Sequence, residues 1–345
     1  MTSGLTGPVA SGNARGSALG TCDRPLCEAY DAALYDLDGV LYLGSEAVPN
    51  AAASVATATA AGMRSAFVTN NASRQPTVVA AHLTELGIPA VATDVVTSAQ
   101  ATVRMLRERL PAGAEVLVVG APGLVEEVAA GGFVVATTSG GQVRAVVQGF
   151  ALDTSYPQLA EACLALRSGA LWIAANTDST LPTPRGLVPG NGALVAALTV
   201  ATGREPLVAG KPGPALHLES VARVGAARPL VIGDRLDTDV LGAVRGGADS
   251  MLVLTGVADA RDAVAAPPGM RPTYIAPDLR GLVAAQPAVD LTSTRAICAD
   301  ATASYDEGVL HVTGRGVGAL RAACALAWRC QDEGRSIDRM DGLEE

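Results

Sequence analysis

The chain has 345 residues, 49% of them hydrophobic but only 3% aromatic, and a formal charge of -9 at pH 7. That length and apolar content allow two domains and an appendage, with cores built from Ala, Val and Leu. The acidic balance, with no dense Lys/Arg block, argues against nucleic acid or an anionic membrane as partner, and no window is apolar for long enough to span a bilayer.

Residues 1–27 are rich in Gly and Ser without hydrophobic periodicity, so disorder is expected. They lack the basic start and apolar run of a secretory signal. Six cysteines, at 22, 27, 163, 298, 324 and 330, form no Cys-x-x-Cys and pair with no histidine at zinc spacing. They read as reduced thiols of a cytoplasmic protein.

From residue 28 the pattern is strand, loop, helix. Ala32-Ala33-Leu34 leads into Asp36-Leu37-Asp38-Gly39-Val40, and Ser65-Ala66-Phe67-Val68 into Thr69-Asn70-Asn71. A helix follows from Ser73 and Pro76, with Val79, Leu83 and Leu86 on one face. Residues 94–203 carry an alternating series of their own. Its strands are expected at Val116–Val119, Phe133–Ala136, Val143–Gln148 and Leu171–Ala174, its helices at 98–110, 123–130 and 155–167. The dense prolines and glycines from Pro182 to Gly192 read as a shaped loop, after which Asn191 can cap a helix. The first pattern resumes with Leu207-Val208-Ala209 before Gly210-Lys211-Pro212, and Pro229-Leu230-Val231-Ile232 before Gly233-Asp234. Helices are expected at 214–224, 239–246 and 278–284, and strands near 251–254 and 273–276. The fold class is therefore α/β: a Rossmann-like parallel-sheet core (28–93 and 204–285), an inserted α/β domain (94–203) and a small C-terminal α+β appendage (286–345). In the appendage, strands are expected at 295–299 and 308–312 and a helix at 316–332, with a mobile tail from 333.

Four apolar runs thus end in reactive side chains: Asp36 and Asp38, Thr69, Lys211, and Asp234 with Asp239. In one parallel sheet these ends share an edge, where open α/β sheets bind ligands. Clustered carboxylates repel unless a cation neutralises them, and oxygen ligands suit magnesium. Lys211 is the single lysine beside twenty-four arginines. A compact ammonium suits a phosphate oxygen. Together these groups make a receptor for a phosphoryl group.

The four segments, in this order and spacing, resemble the four motifs of haloacid dehalogenase superfamily phosphatases with a large cap inserted between the second and third motifs. Within that class the chain is similar to the NagD-like and p-nitrophenyl phosphatase group, including bacterial glycerol-3-phosphate phosphatases. The resemblance covers about residues 28–285. It implies that Asp36 attacks phosphorus to form an aspartyl phosphate, and that Asp38 protonates the leaving alkoxide and then deprotonates water. It implies that Thr69 and Lys211 hold the phosphoryl oxygens. Mg2+ is expected on Asp36, the main-chain carbonyl of Asp38 and Asp234, with Asp239 behind them. Gly39, Asn70 and Asn71 beside the motifs, and Asn176, Asp178 and Arg185 on the segments that return from the cap, are the expected substrate contacts. The cap is expected to act as a lid.

The substrate expected is a small polar phosphate ester, glycerol 3-phosphate first, with 2-phosphoglycolate, sugar phosphates and nucleotides open; a homo-oligomer is open as well. A non-hydrolytic receiver domain is the rival reading, against which Asp38 and the hundred-residue insertion stand. Residues 309–318 faintly resemble the phosphate-binding turn of GNAT-fold acetyltransferases, although Thr313 stands where Gln or Arg is expected. A structural or assembly role is favoured there, with a partner-binding role for 286–345 as the third reading.

Overall fold

Ala32–Asp36, Pro229–Gly233, Asp249–Val253 and Tyr274–Ala276 are consecutive neighbours in a parallel sheet of the computed structural model, which describes residues 18–183 and 185–343. Their inward residues, among them Leu34, Ile232, Met251 and Ile275, are almost fully buried, as continuous apolar strands covered on both faces should be. The register Leu34↔Val231 and Tyr35↔Ile232 brings Asp36 and Gly233-Asp234 out at the same edge. These strands belong to one of two compact units, made of the chain as far as Ser65 together with the chain from Ala226 on; Ala66–Gly225 forms the other.

The C-terminal segment is part of the first unit. It forms the sheet Asp290–Leu291, Arg295–Cys298, Ala301–Asp306, Val309–Thr313 and Arg339–Asp341, antiparallel except for the last pair. The helix Gly316–Asp332 covers one face of it, and twelve of its residues are buried because small Ala and Cys side chains let it sink between neighbours. The core there runs from Ala303, Leu310 and Val312 through Leu326 and Trp328 to Leu252, Val264 and Ile275, so appendage and parallel sheet share one hydrophobic cluster. The helix, and the strands expected at 295–299 and 308–312, are found within a residue or so. Ala301–Asp306 and Arg339–Asp341 were not expected. The first alternates small and weakly apolar residues, and the second lies in the tail taken as mobile, where its strand is held by pairing with Val309–His311.

The expected disorder of 1–27 falls outside the described residues for 1–17. From 18 onward the chain is placed: Gly20 N–H donates to Thr273 O (2.8 Å), and Cys22 and Gln286 exchange main-chain bonds of 2.9 and 2.7 Å. Arg321, fully buried, donates to Gly20 O (2.7 Å), Pro287 O (2.7 Å) and Gln286 Oε1 (3.2 Å), tying this segment to the C-terminal helix.

In the second unit, the strand that ends at Thr69 pairs in parallel with Val95–Thr97. A separate parallel sheet runs Leu207–Val208, Leu171–Ala174, Val143–Gln148, Glu115–Val119, Val134–Ala136. Leu207–Val208 therefore does not lie in the sheet of Asp36, as one shared edge for all four runs requires; it is two residues long and pairs with Ile173-Ala174. The loop expected at 182–192 is in part a hairpin, Thr180–Thr183 with Gly186–Pro189. A two-stranded ribbon has only edge strands, so prolines that lack an N–H are accommodated.

Replacing Arg321 by Ala would strip the buried acceptors Gly20 O and Pro287 O of their charged donor. We expect about 3 kcal/mol less stability in equilibrium denaturant unfolding.

Candidate active site

Strand alternation decides which side chains of the first segment face the sheet edge. Leu37 turns into the core at 1% exposed, which leaves Asp36 half-buried and Asp38 exposed on either side of it. The chain then curls over: Leu41 N–H bonds Leu37 O (2.9 Å), and Gly39 N–H bonds Tyr42 O (2.8 Å). Gly39 sits at φ +85°, and a Cβ there would lie 2.4 Å from Asp234 Oδ2. Glycine is required on both counts.

Asp234, 1% exposed, follows the strand Pro229–Gly233, and its Oδ2 accepts from Val257 N–H (2.7 Å). A Cβ on Gly256 would fall 2.0 Å from the same oxygen, and Thr255 Oγ1 donates to Gly39 O (2.5 Å). The carboxylate of Asp234 is thus held between two glycines of different loops. Beyond it Leu236–Val240 forms a wide π-type turn, in which Arg235 O accepts from both Asp239 and Val240 N–H (3.2 Å each). Such turns recur at functional sites. This one carries Asp239 inward to 1% exposure, where Oδ2 accepts from Arg235 N–H (3.2 Å) and Thr238 Oγ1 (3.4 Å). The neighbouring Asp237 stays outside with both oxygens on the Arg235 guanidinium (3.0 and 2.8 Å), and that hydrogen bonding holds its pKa below the usual carboxylate range.

Asp36, Asp234 and Asp239 each present a carboxylate oxygen within 4.8 Å of the others. At that separation each ionised pair repels by roughly 3 kcal/mol at an effective dielectric of about 20. An all-oxygen donor set of this charge fits a hard divalent cation such as Mg2+ and does not suit zinc.

The second unit holds the other expected residues. Thr69 ends its strand and its Oγ1 accepts from Asn71 N–H (3.1 Å); Asn71, exposed, turns back to accept from Ser73 N (2.8 Å) and Oγ (2.6 Å). Lys211 is only 4% exposed. Asn70 spans its main chain, with Oδ1 accepting from Lys211 N–H (2.7 Å) and Nδ2 donating to Lys211 O (3.1 Å). The same amide reaches the Asp178 carboxylate (3.3 and 3.4 Å), and Asn176 Nδ2 donates to Asn70 O (2.9 Å). Arg185 stands exposed at the turn of the hairpin. The expected residues therefore form two groups: Asp36, Asp234 and Asp239 with Gly39 in one unit, and Asn70, Asn176, Asp178 and Lys211 in the other.

Thr255, Gly256 and Val257 were missed by the sequence reading. Their signal was there, since Met251–Leu254 is one more apolar run that ends in a hydroxyl and a glycine. Asn191 does not cap its helix; Gly190 holds the cap position, and the Asn191 amide goes elsewhere.

A profile described as haloacid dehalogenase-like hydrolase matches residues 33–134, and a second, described as HAD-hydrolase-like, matches 208–282. The chain is 46% identical over 317 residues to the D-glycerol 3-phosphate phosphatase of Mycobacterium tuberculosis, covering 89% of this chain and 88% of that one. It is 37% identical over 232 residues to the 5'-nucleotidase YutF of Bacillus subtilis, covering 67% and 89%. The crystal structure of the glycerol phosphate phosphatase Rv1692 from M. tuberculosis in complex with magnesium superposes with a TM-score of 0.82 at 44% identity, covering 93% of this chain and 96% of that one.

Gly256→Ala would push a methyl group into the Asp234 carboxylate. Mg2+ affinity measured by calorimetry is expected to fall at least about tenfold; unchanged affinity would remove Asp234 from the cation site.

Proposed function

The chain belongs to the haloacid dehalogenase-like hydrolases, and on that premise we propose that it is a magnesium-dependent phosphomonoester hydrolase acting on small polar phosphate esters, glycerol 3-phosphate foremost. The observation that carries this reading is the convergence of Asp36, Asp234 and Asp239, a carboxylate nucleophile beside two buried acids. The substrate choice rests on the likeness to the mycobacterial glycerol 3-phosphate phosphatase along nearly the whole of both chains.

In this reading Asp36 attacks phosphorus. A new O–P bond forms as the bond to the ester oxygen breaks, and Asp38, exposed beside it, gives its proton to the departing alkoxide. Asp38 then takes a proton from the water that attacks the aspartyl phosphate, which returns Asp36 and releases inorganic phosphate. Two displacements on a carboxylate replace one difficult hydrolysis. Thr69 donates to the phosphoryl oxygens and Lys211 faces their negative charge. Mg2+ would be held by Asp36, the Asp38 carbonyl and Asp234, with Asp239 behind, and supplies positive charge against the phosphoryl oxygens. Residues 94–203 serve as a lid on a core made of 28–93 and 204–285. From that side Asp178 and Arg185 read the alcohol part of the ester; Gly39 and Asn71 line the approach. The likeness to a 5'-nucleotidase keeps nucleotides among the substrates to compare.

The test is phosphate release from glycerol 3-phosphate, 2-phosphoglycolate, a hexose phosphate and a nucleotide, with magnesium and with EDTA. Glycerol 3-phosphate is expected to show the highest kcat/KM, release is expected to stop in EDTA, and Asp36→Asn is expected to lower turnover at least about a thousandfold. Absence of release from every ester by folded, magnesium-loaded protein would overturn the reading.

A further inference from the structure

Asn191 lies at the start of a helix, 1% exposed, yet its side chain does not serve that helix. Its Nδ2 donates to Asn176 O (2.6 Å) and more weakly to Gln148 O (3.5 Å). Asn176, 6% exposed, in turn donates to Asn70 O (2.9 Å), an oxygen that also accepts from Ser98 Oγ (2.6 Å). Asn70 then grips both main-chain groups of Lys211. Three amides thus form one line from residue 191 to residue 211, inside a single compact unit.

The backbone is shaped to permit this line. A Cβ at Gly190 would lie 2.3 Å from Asp178 O, one at Gly192 2.3 Å from Thr177 O, and one at Gly210 2.6 Å from both Ala175 O and Asn70 Oδ1. Each approach is closer than any side chain allows, so the segment Ala175–Asp178 is clamped by glycines at 190 and 192 and at 210. Gly192 N–H bonds Asp178 O (2.9 Å), and Ala209 N–H bonds Ala174 O (2.9 Å). Asn70 and Asn176 are bonded at both ends of the amide, Asn176 Oδ1 accepting from Asp178 N–H (3.3 Å), while Asn191 is held through Nδ2 by two carbonyls. Each asparagine therefore has little rotational freedom and passes on the position of the one before it.

We infer that Asn191 and Asn176 are positioning residues that set Lys211 through Asn70, rather than contacts to the substrate. The functional consequence rests on Lys211 being the cation that faces the phosphoryl group. Asn191→Asp keeps the side chain's size and removes the donor to Asn176 O.

Lys211 is the only lysine in the chain, so lysine-selective isotope labelling gives an NMR spectrum with a single side-chain reporter. In Asn191→Asp the Lys211 signal is expected to shift or broaden. With glycerol 3-phosphate and magnesium, kcat is expected to fall on the order of ten- to a hundredfold, as misplacement of a reacting group should cause. KM is expected to change by less than about twofold, because no substrate contact is lost. Ser98→Ala removes one donor to Asn70 O and serves if the first variant does not fold; the same changes, smaller, are expected. An unmoved lysine signal in a folded variant would overturn the inference, as would a raised KM with kcat intact. A displaced lysine with unchanged kcat would support the positioning and count instead against the role given to Lys211.

Discussion

Carboxylates held close together repel, and the first unit is arranged so that Asp36, Asp234 and Asp239 cannot separate. Asp36 is fixed by the end of its strand, Asp234 by Val257 N–H and the flanking Gly39 and Gly256, and Asp239 by the turn that begins at Arg235. Two of the three are almost dry. That geometry is costly for the protein alone and favourable with a divalent cation present, so cation binding and the placement of Asp36 are one problem. The glycines follow from the same constraint, since any side chain at 39 or 256 would take the space of the Asp234 carboxylate.

The second unit solves a different problem by different means. In our proposal Lys211 presents one ammonium from a chain segment flanked by glycine and proline, which by itself would be poorly ordered. Hydrogen bonds from side-chain amides to the main chain supply the order, and buried amides are conformationally specific because each unmade bond is expensive in a dry interior. Asn70, beside the second motif, and Asn176, on the segment that returns from the cap, were read as substrate contacts; the amide of Asn70 bonds the Lys211 main chain and the Asp178 carboxylate, and that of Asn176 donates to Asn70 O. Asp178, reached by the Asn70 amide, and the exposed Arg185 stay with the substrate in our proposal.

The parts of the site most legible in the sequence were those where an apolar run stops at a charged residue. Ala32–Asp36 and Pro229–Gly233 are buried strands whose ends must carry whatever follows them to one edge, so Asp36 and Asp234 could be paired from the pattern. The short run Leu207–Val208 misled, because two residues do not say which sheet they join. Thr255-Gly256-Val257 carries no charge; the hydroxyl and glycine that end the apolar run before it were visible, but the main-chain N–H of Val257 that holds Asp234 does not show as a motif. Asn191 looked like a helix cap because a helix does begin there; only the three-dimensional path of Ala175–Asp178 turns its amide elsewhere. In the C-terminal segment the helix was plain from its period, whereas Ala301–Asp306 pairs through its backbone, and its inward residues Ala301 and Ala303 are too small to give an apolar alternation.

The central claim is that Asp36 carries the phosphoryl group between substrate and water. Borohydride reduction of the magnesium-loaded protein during turnover of glycerol 3-phosphate, followed by peptide mass spectrometry, tests it directly. Reduction of an aspartyl phosphate leaves homoserine, and we expect that conversion at residue 36 and at no other aspartate. Steady turnover with no modified residue 36, or with the modification at Asp38 or Asp234, would contradict the account.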